Sequence, residues 1–114
     1  MKVNHLHLMV PDVHASADFF QKYFDLKNSG GNAGLTVLVD DDGFVLTIMK
    51  AGSKSTKGYP ENFHVGFFVA DEARVDAINR RMKDDGLEVA PPARSHAYSF
   101  YVGAPGGFLV EVGA

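Results

Sequence analysis

Two stretches of this chain repeat one another, and that repeat limits what it can fold into. Asn4-His5-Leu6-His7-Leu8-Met9-Val10-Pro11-Asp12 and Phe63-His64-Val65-Gly66-Phe67-Phe68-Val69-Ala70-Asp71 share a histidine, an alternating apolar run and an aspartate at the same spacings. His5 corresponds to His64, Val10 to Val69 and Asp12 to Asp71, each pair 59 positions apart. A second match, 64 positions apart, relates Gly43-Phe44-Val45-Leu46-Thr47-Ile48 to Gly107-Phe108-Leu109-Val110-Glu111-Val112. Repetition on this scale marks a supersecondary unit present twice. The change of offset implies about five extra residues in the second copy, placed most simply in its Pro-rich loop. Thr47 then occupies the position equivalent to Glu111.

Each copy reads as strand, helix, strand, strand, strand. From Val3 to Val10, Leu6, Leu8 and Val10 share one face, which should pack under a helix; Val3, His5, His7 and Met9 share the other. Pro11-Asp12 opens a helix with Asp12 as N-cap. Val13, Ala17, Phe20 and Phe24 make its apolar stripe, widened by Phe19 and Tyr23. The second strand of this copy is weak, around Asp25 to Asn28, and composition predicts a loop over Asn28-Ser29-Gly30-Gly31-Asn32. Leu35–Val39 and Phe44–Met49 form a hairpin around Asp40-Asp41-Asp42-Gly43. Ala51–Pro60 is polar and reads as the linker between copies. Phe63–Val69 is the next strand and Asp71–Asp85 a helix with Val75, Ile78 and Met82 as its stripe. Arg80, Arg81 and Lys83 close that helix as its dipole prefers, and Gly86 caps it. A brief strand is expected at Leu87–Ala90, then a hairpin of Ala97–Val102 and Phe108–Val112. The expectation is one α+β domain, residues 1–114, with modules at about 1–55 and about 60–114.

Composition removes several functional classes. The formal net charge is −3 and the basic residues are scattered, so no nucleic-acid surface is expected. Without cysteine there is no disulfide framework, thiol nucleophile or thiolate ligand. No apolar run approaches the roughly 20 residues of a membrane span, and Met1–His5 lacks the core of a signal peptide. A cytoplasmic protein is expected.

Period-two alternation puts His5 and His64 on the faces of their strands away from the helices. Glu111 alternates with Val110 and Val112 and points away from the apolar face too. Two imidazoles and a carboxylate are a donor set for a divalent metal with open positions. The competing reading is two strand histidines hydrogen-bonded in a half-buried sheet and a solvated edge glutamate.

The arrangement resembles the vicinal oxygen chelate superfamily of glyoxalases, bleomycin-resistance proteins, fosfomycin-resistance enzymes and extradiol dioxygenases. The resemblance rests on His5-Leu6-His7-Leu8-Met9-Val10-Pro11-Asp12, its copy His64–Asp71, and the closing Ala104-Pro105-Gly106-Gly107-Phe108-Leu109-Val110-Glu111. It covers the whole chain. It implies two βαβββ modules forming curved mixed sheets with helices outside, paired as a cup around a metal held by His5, His64 and Glu111. Glyoxalase I carries a ligating Glu or Gln where this chain has Thr47. Arg94-Ser95-His96-Ala97-Tyr98-Ser99-Phe100-Tyr101 resembles a segment of the glutathione-dependent fosfomycin-resistance enzymes. There, however, a threonine stands where this chain has His7, and Glu-Gly where it has His96-Ala97.

The resemblance implies a divalent-metal enzyme, its metal one of Mn, Fe, Ni, Zn or Mg. The substrate would be a small molecule chelating through oxygen, with a thiol as possible co-substrate. Tyr101 would orient the substrate and His7 act as an acid–base group, while packing is the other reading of His7. His96 is either a proton shuttle or a solvated loop residue, and His14 lies on the surface. Phe68 and Met49 line the cup or belong to the core. Non-redox, lyase- or transferase-type chemistry on an oxygenated electrophile is expected, with an extradiol-type dioxygenase as runner-up. A metal-free drug-sequestering protein of the bleomycin-resistance type is the rival from another class. A homodimer is expected, because family members pair modules across subunits.

Overall fold

A computed structural model of the protein describes residues 1–52 and 58–114. The middle of the expected linker Ala51–Pro60, residues 53–57, lies outside the described residues. The elements are β1 (His5–Val10), α1 (Val13–Phe24), β2 (Lys27–Asn32), β3 (Leu35–Val39), β4 (Val45–Lys50), β5 (His64–Phe68), α2 (Glu72–Asp84), β6 (Ala93–Arg94), β7 (Tyr98–Ala104) and β8 (Phe108–Gly113). The chain divides into two units, Met1–Gly58 with Pro105–Gly107, and Tyr59–Ala104 with Phe108–Ala114. Among the described residues, no helix is long and apolar enough to cross a membrane.

In the first unit the sheet order is β1-β4-β3-β2, with β1 parallel to β4 and the other pairs antiparallel. Leu8 and Val10 are buried while His5, His7 and Met9 are exposed, so the alternation read from the sequence holds. Asp12 caps α1, its carboxylate accepting from the Ala15 N–H at 3.1 Å. The helix lies on β3 and β4, and its Val13, Ala17 and Phe20 share a core with Leu38, Leu46 and Ile48. Burial stabilises each larger side chain of that set by about 1.5–3 kcal/mol. The helix ends on Asp25 in the left-handed conformation, φ 55°, which aspartate tolerates better than most side chains.

The loop expected at Asn28–Asn32 is instead part of an edge strand. All six residues of β2 are exposed, and they pair with β3 across a register shift between Asn28 and Gly30. Gly30 and Gly31 adopt φ values of 135° and 130°. These glycines permit a bulged, twisted edge that a residue with a side chain would resist.

The second unit repeats the plan as β5-β8-β7-β6, with β5 parallel to β8. Asp71 caps α2 through the Arg74 N–H at 2.9 Å. Val75, Ile78 and Met82 are buried on its inner stripe. At its end the Gly86 N–H donates to Lys83 O at 3.0 Å and the Leu87 N–H to Met82 O at 2.9 Å, the Schellman pattern. Gly86 carries φ 89°, so Gly86→Ala should destabilise the protein by about 1 kcal/mol. Urea unfolding should show a lower midpoint at constant slope; an unchanged midpoint would mean this cap contributes nothing.

The strand expected at Leu87–Ala90 is not formed. Val89 makes only an isolated bridge to Val102, and the paired segment is β6, with Ala93 opposite Ser99. Pro91-Pro92 separates the two contacts. Proline has no N–H to donate to a ladder, so this edge is split.

The registers of the two units agree. His5 faces Val45 and His7 faces Thr47; His64 faces Leu109 and Gly66 faces Glu111. His5 and His64 are therefore equivalent, as are His7 and Gly66, and Thr47 and Glu111.

Candidate metal centre

In the second unit, Glu111 lies on β8, between β5 and β7. That position carries His64 and Gly66 on one side and Tyr101, its register partner on β7, on the other. Glu111 is only 4% exposed, which rules out the solvated edge glutamate as an account of this residue. A buried carboxylate needs partners, and three side chains supply them. His96 Nε2 donates to Oε1 at 2.6 Å, and hydrogen bonds with Ser99 and Tyr101 add to it. Burial pushes the Glu111 carboxyl up, but the hydrogen bonds from His96, Ser99 and Tyr101 and the His96 charge outweigh it and hold the group below its usual value. These interactions stabilise the fold fully above the pH where glutamate ionises in the unfolded chain. They are lost as pH falls through the lowered folded value.

His64 approaches the other carboxylate oxygen, with Nε2 3.6 Å from Oε2. Its Nδ1 lies 3.0 Å from the Asn62 carbonyl oxygen. A carbonyl only accepts, so Nδ1 carries the proton and, in the neutral ring, Nε2 turns a lone pair toward Glu111. Lone pairs on nitrogen and oxygen then converge across a gap too long for a hydrogen bond. A second proton on the ring, a bridging donor or a cation between them relieves that arrangement. Two metal–donor bonds of about 2.0–2.2 Å span such a gap. A carbonyl holding the far ring nitrogen is the usual support of a metal-binding histidine. This pair therefore suits a divalent metal by donor type and spacing.

Tyr101 stands beside this pair, its ring edge-on to His64 with centroids 5.4 Å apart. Burial raises its phenol, and the charge and hydrogen bond of Glu111 raise it further. The group stays protonated at neutral pH and remains a donor. Phe68, two positions beyond Gly66 on β5, is 62% exposed.

In the first unit, His5 and His7 are both exposed on β1. His5 Nδ1 lies 2.7 Å from Asn4 Oδ1, so that, with the amide oxygen accepting, Nε2 is left for another partner. His7 Nδ1 is 2.6 Å from Thr47 Oγ1, and Thr47 in turn donates to Leu6 O at 3.4 Å. Met9 and Met49 are register partners on the same face, and both are partly exposed.

Of the residues singled out from the sequence, His64, His96, Glu111 and Tyr101 come together in the second unit. His5 and His7 belong to the first. Among the described residues, no three His, Cys, Asp or Glu side chains gather closely enough in one chain to hold a metal ion. Ser99 escaped the sequence reading, although its place two residues before Tyr101 on one strand is the signal that shares its face. Arg94 does not contact the donors. Its guanidinium makes a two-point pair with Glu72 of α2, at 2.6 and 2.7 Å.

Family comparison agrees with this architecture. The model of the Glyoxalase/Bleomycin resistance protein/Dioxygenase superfamily matches residues 2–112, and the chain belongs to that superfamily. A solved structure described as a possible glyoxalase from Bacillus cereus is 48% identical, with 100% of this chain and 99% of that one covered and a TM-score of 0.92. A lactoylglutathione lyase from Agrobacterium tumefaciens shares the fold at 22% identity, covering 98% and 92% of the two chains with a TM-score of 0.79. A fosfomycin resistance protein from Listeria monocytogenes, solved with Mn(II) and sulfate, shares it at 22% identity, 99% and 89% coverage and a TM-score of 0.78.

Proposed function

We propose that the protein is a divalent-metal enzyme of this superfamily, acting on a small molecule that chelates through oxygen. One observation carries the reading: His64 Nε2 faces Glu111 Oε2 at 3.6 Å, with its Nδ1 held by Asn62 O. His5, with its Nε2 left for another partner, is assigned as the third donor. A metal so held acts as a Lewis acid on substrate oxygen. Tyr101, kept protonated beside Glu111, donates a hydrogen bond that orients the substrate. His7, held at Nδ1 by Thr47, presents Nε2 for proton transfer. The solved relative with Mn(II) supports a metal of that type, and the relatives described as a possible glyoxalase and as a lactoylglutathione lyase support non-redox chemistry.

The working form is assigned as a cytoplasmic homodimer, with a thiol as candidate co-substrate; light scattering at micromolar concentration tests the assembly. Untagged protein, stripped and titrated with Mn(II) by calorimetry, should bind one ion per chain. Binding should weaken as pH falls, because protons compete for the donors. Failure to bind Mn(II), Fe(II), Ni(II) or Zn(II) would leave the drug-sequestering reading in its place. Oxygen uptake with catechols under Fe(II), without turnover of epoxides under Mn(II), would replace non-redox chemistry by ring cleavage.

A further inference from the structure

We propose that His96 is a positioning residue that holds Glu111 as a one-oxygen ligand; the inference rests on the metal reading above. Glu111 has two oxygens with different neighbours. Oε1 accepts from His96 Nε2 at 2.6 Å, while Oε2 faces His64 Nε2 at 3.6 Å. The His96 bond occupies the first oxygen and turns the second toward the facing imidazole. Without it Oε1 loses its His96 partner, the carboxylate keeps only its bonds with Ser99 and Tyr101, and both oxygens can turn to a cation. The open positions that a chelating substrate needs would then be fewer.

The turn carrying His96 is built to hold it there. Arg94, two residues before, pairs with Glu72 of α2 at 2.6 and 2.7 Å. Tyr98, two residues after, donates its hydroxyl to Asp76 of α2 at 2.6 Å. The Arg94 guanidinium also stacks over the Tyr98 ring, 5.1 Å from its centroid. Between these shoulders the Ser95 N–H donates to Ala97 O at 3.0 Å and closes the turn. Glu72 and Asp76 are four apart on the helix, and Arg94 and Tyr98 are four apart on the chain. Both flanks of His96 are thus pinned to one helix face, and its ring is delivered to Glu111 from a fixed base. The side chain itself is 56% exposed, so core packing does not account for its placement.

The test compares wild type, His96→Ala and His96→Gln, each stripped of metal. Calorimetry reads the affinity for Mn(II), and visible absorption of the Co(II)-loaded protein reads the coordination. His96→Ala should bind Mn(II) about 10–100-fold more weakly, the usual effect of losing an outer partner of a ligand. Its Co(II) bands should shift as the carboxylate takes up a two-oxygen mode. His96→Gln, whose amide donates to Oε1, should recover most of the affinity and the wild-type spectrum. Metal-free His96→Ala should melt below wild type, having lost a partner of the buried carboxylate, whereas metal-free His96→Gln should melt close to wild type, so recovery of affinity in the glutamine variant separates positioning from folding. A His96→Ala variant with wild-type affinity and spectrum overturns the positioning role and leaves the metal centre standing. Wild type that takes up neither ion overturns the metal reading and this inference with it.

Discussion

Replacing Glu111 by alanine should weaken divalent-ion binding by at least about a hundredfold, beyond what losing an outer hydrogen-bond partner does. Glu111 is the carboxylate of the proposed donor set, and its buried place on β8 leaves it little freedom to be replaced by a neighbour. The loss should appear in heat as well as in metal content. An ion present at a hundred times its Kd stabilises the wild-type fold by about 2.7 kcal/mol. The variant should melt at the same temperature with and without Mn(II). Glu111→Gln keeps the volume and removes the charge, so it should behave like the alanine variant in metal content. Unchanged metal content together with unchanged thermal stabilisation by metal would show that Glu111 is not a ligand.

Gly31→Ala should destabilise the protein by about 3 kcal/mol, a large share of a small domain's stability. A Cβ built at Gly31 falls 2.1 Å from the Leu35 carbonyl oxygen and 3.0 Å from its carbon, both backbone atoms of the tight turn into β3. Neither atom can move without unmaking the β2–β3 hairpin. Gly30 is the internal control. Its φ of 135° is as unfavourable for alanine, but a Cβ there meets nothing within 4 Å. Gly30→Ala should therefore show only the conformational part, about 1–2 kcal/mol. Chemical denaturation of both variants measures the difference, and equal effects would mean that the close approach to Leu35 does not matter.

How far such features can be read from the sequence depends on whether local chemistry decides them. Asp12 announced the first helix because an N-cap acts within one turn, and its repeat partner Asp71, read as the first residue of the second helix, proves to be that helix's N-cap. Period two put His5, His7 and His64 on the exposed strand faces because one residue of slip would bury imidazoles and expose Leu8 and Val10. The α+β class followed from those elements and from the repeat. Asn28–Asn32 misled because turn-forming residues also suit a bulged edge strand, where pairing to β3 outweighs local preference. Leu87–Ala90 misled because its apolar pattern is sound, while the prolines after it break the ladder. The His96–Glu111 bond was out of reach. It depends on a turn whose shape is set by Arg94 and Tyr98 finding Glu72 and Asp76, partners about twenty residues away. Arg94 shows the converse: a residue placed by likeness in a site segment is occupied in holding a helix.

A doubled module offers every position twice, and a charge present in only one copy breaks that symmetry. Where the second unit sets Gly66 beside Glu111, the first sets His7 beside Thr47. The first arrangement sets imidazole against hydroxyl at 2.6 Å and carries no carboxylate. The second is anionic, and the glycine beside it leaves open space. The in-register rows of β1, β4 and β3 on the His5 face, from His5-Val45-Val39 to Met9-Met49-Leu35, contain no carboxylate. To a cation, the two copies of one architecture therefore present different charge.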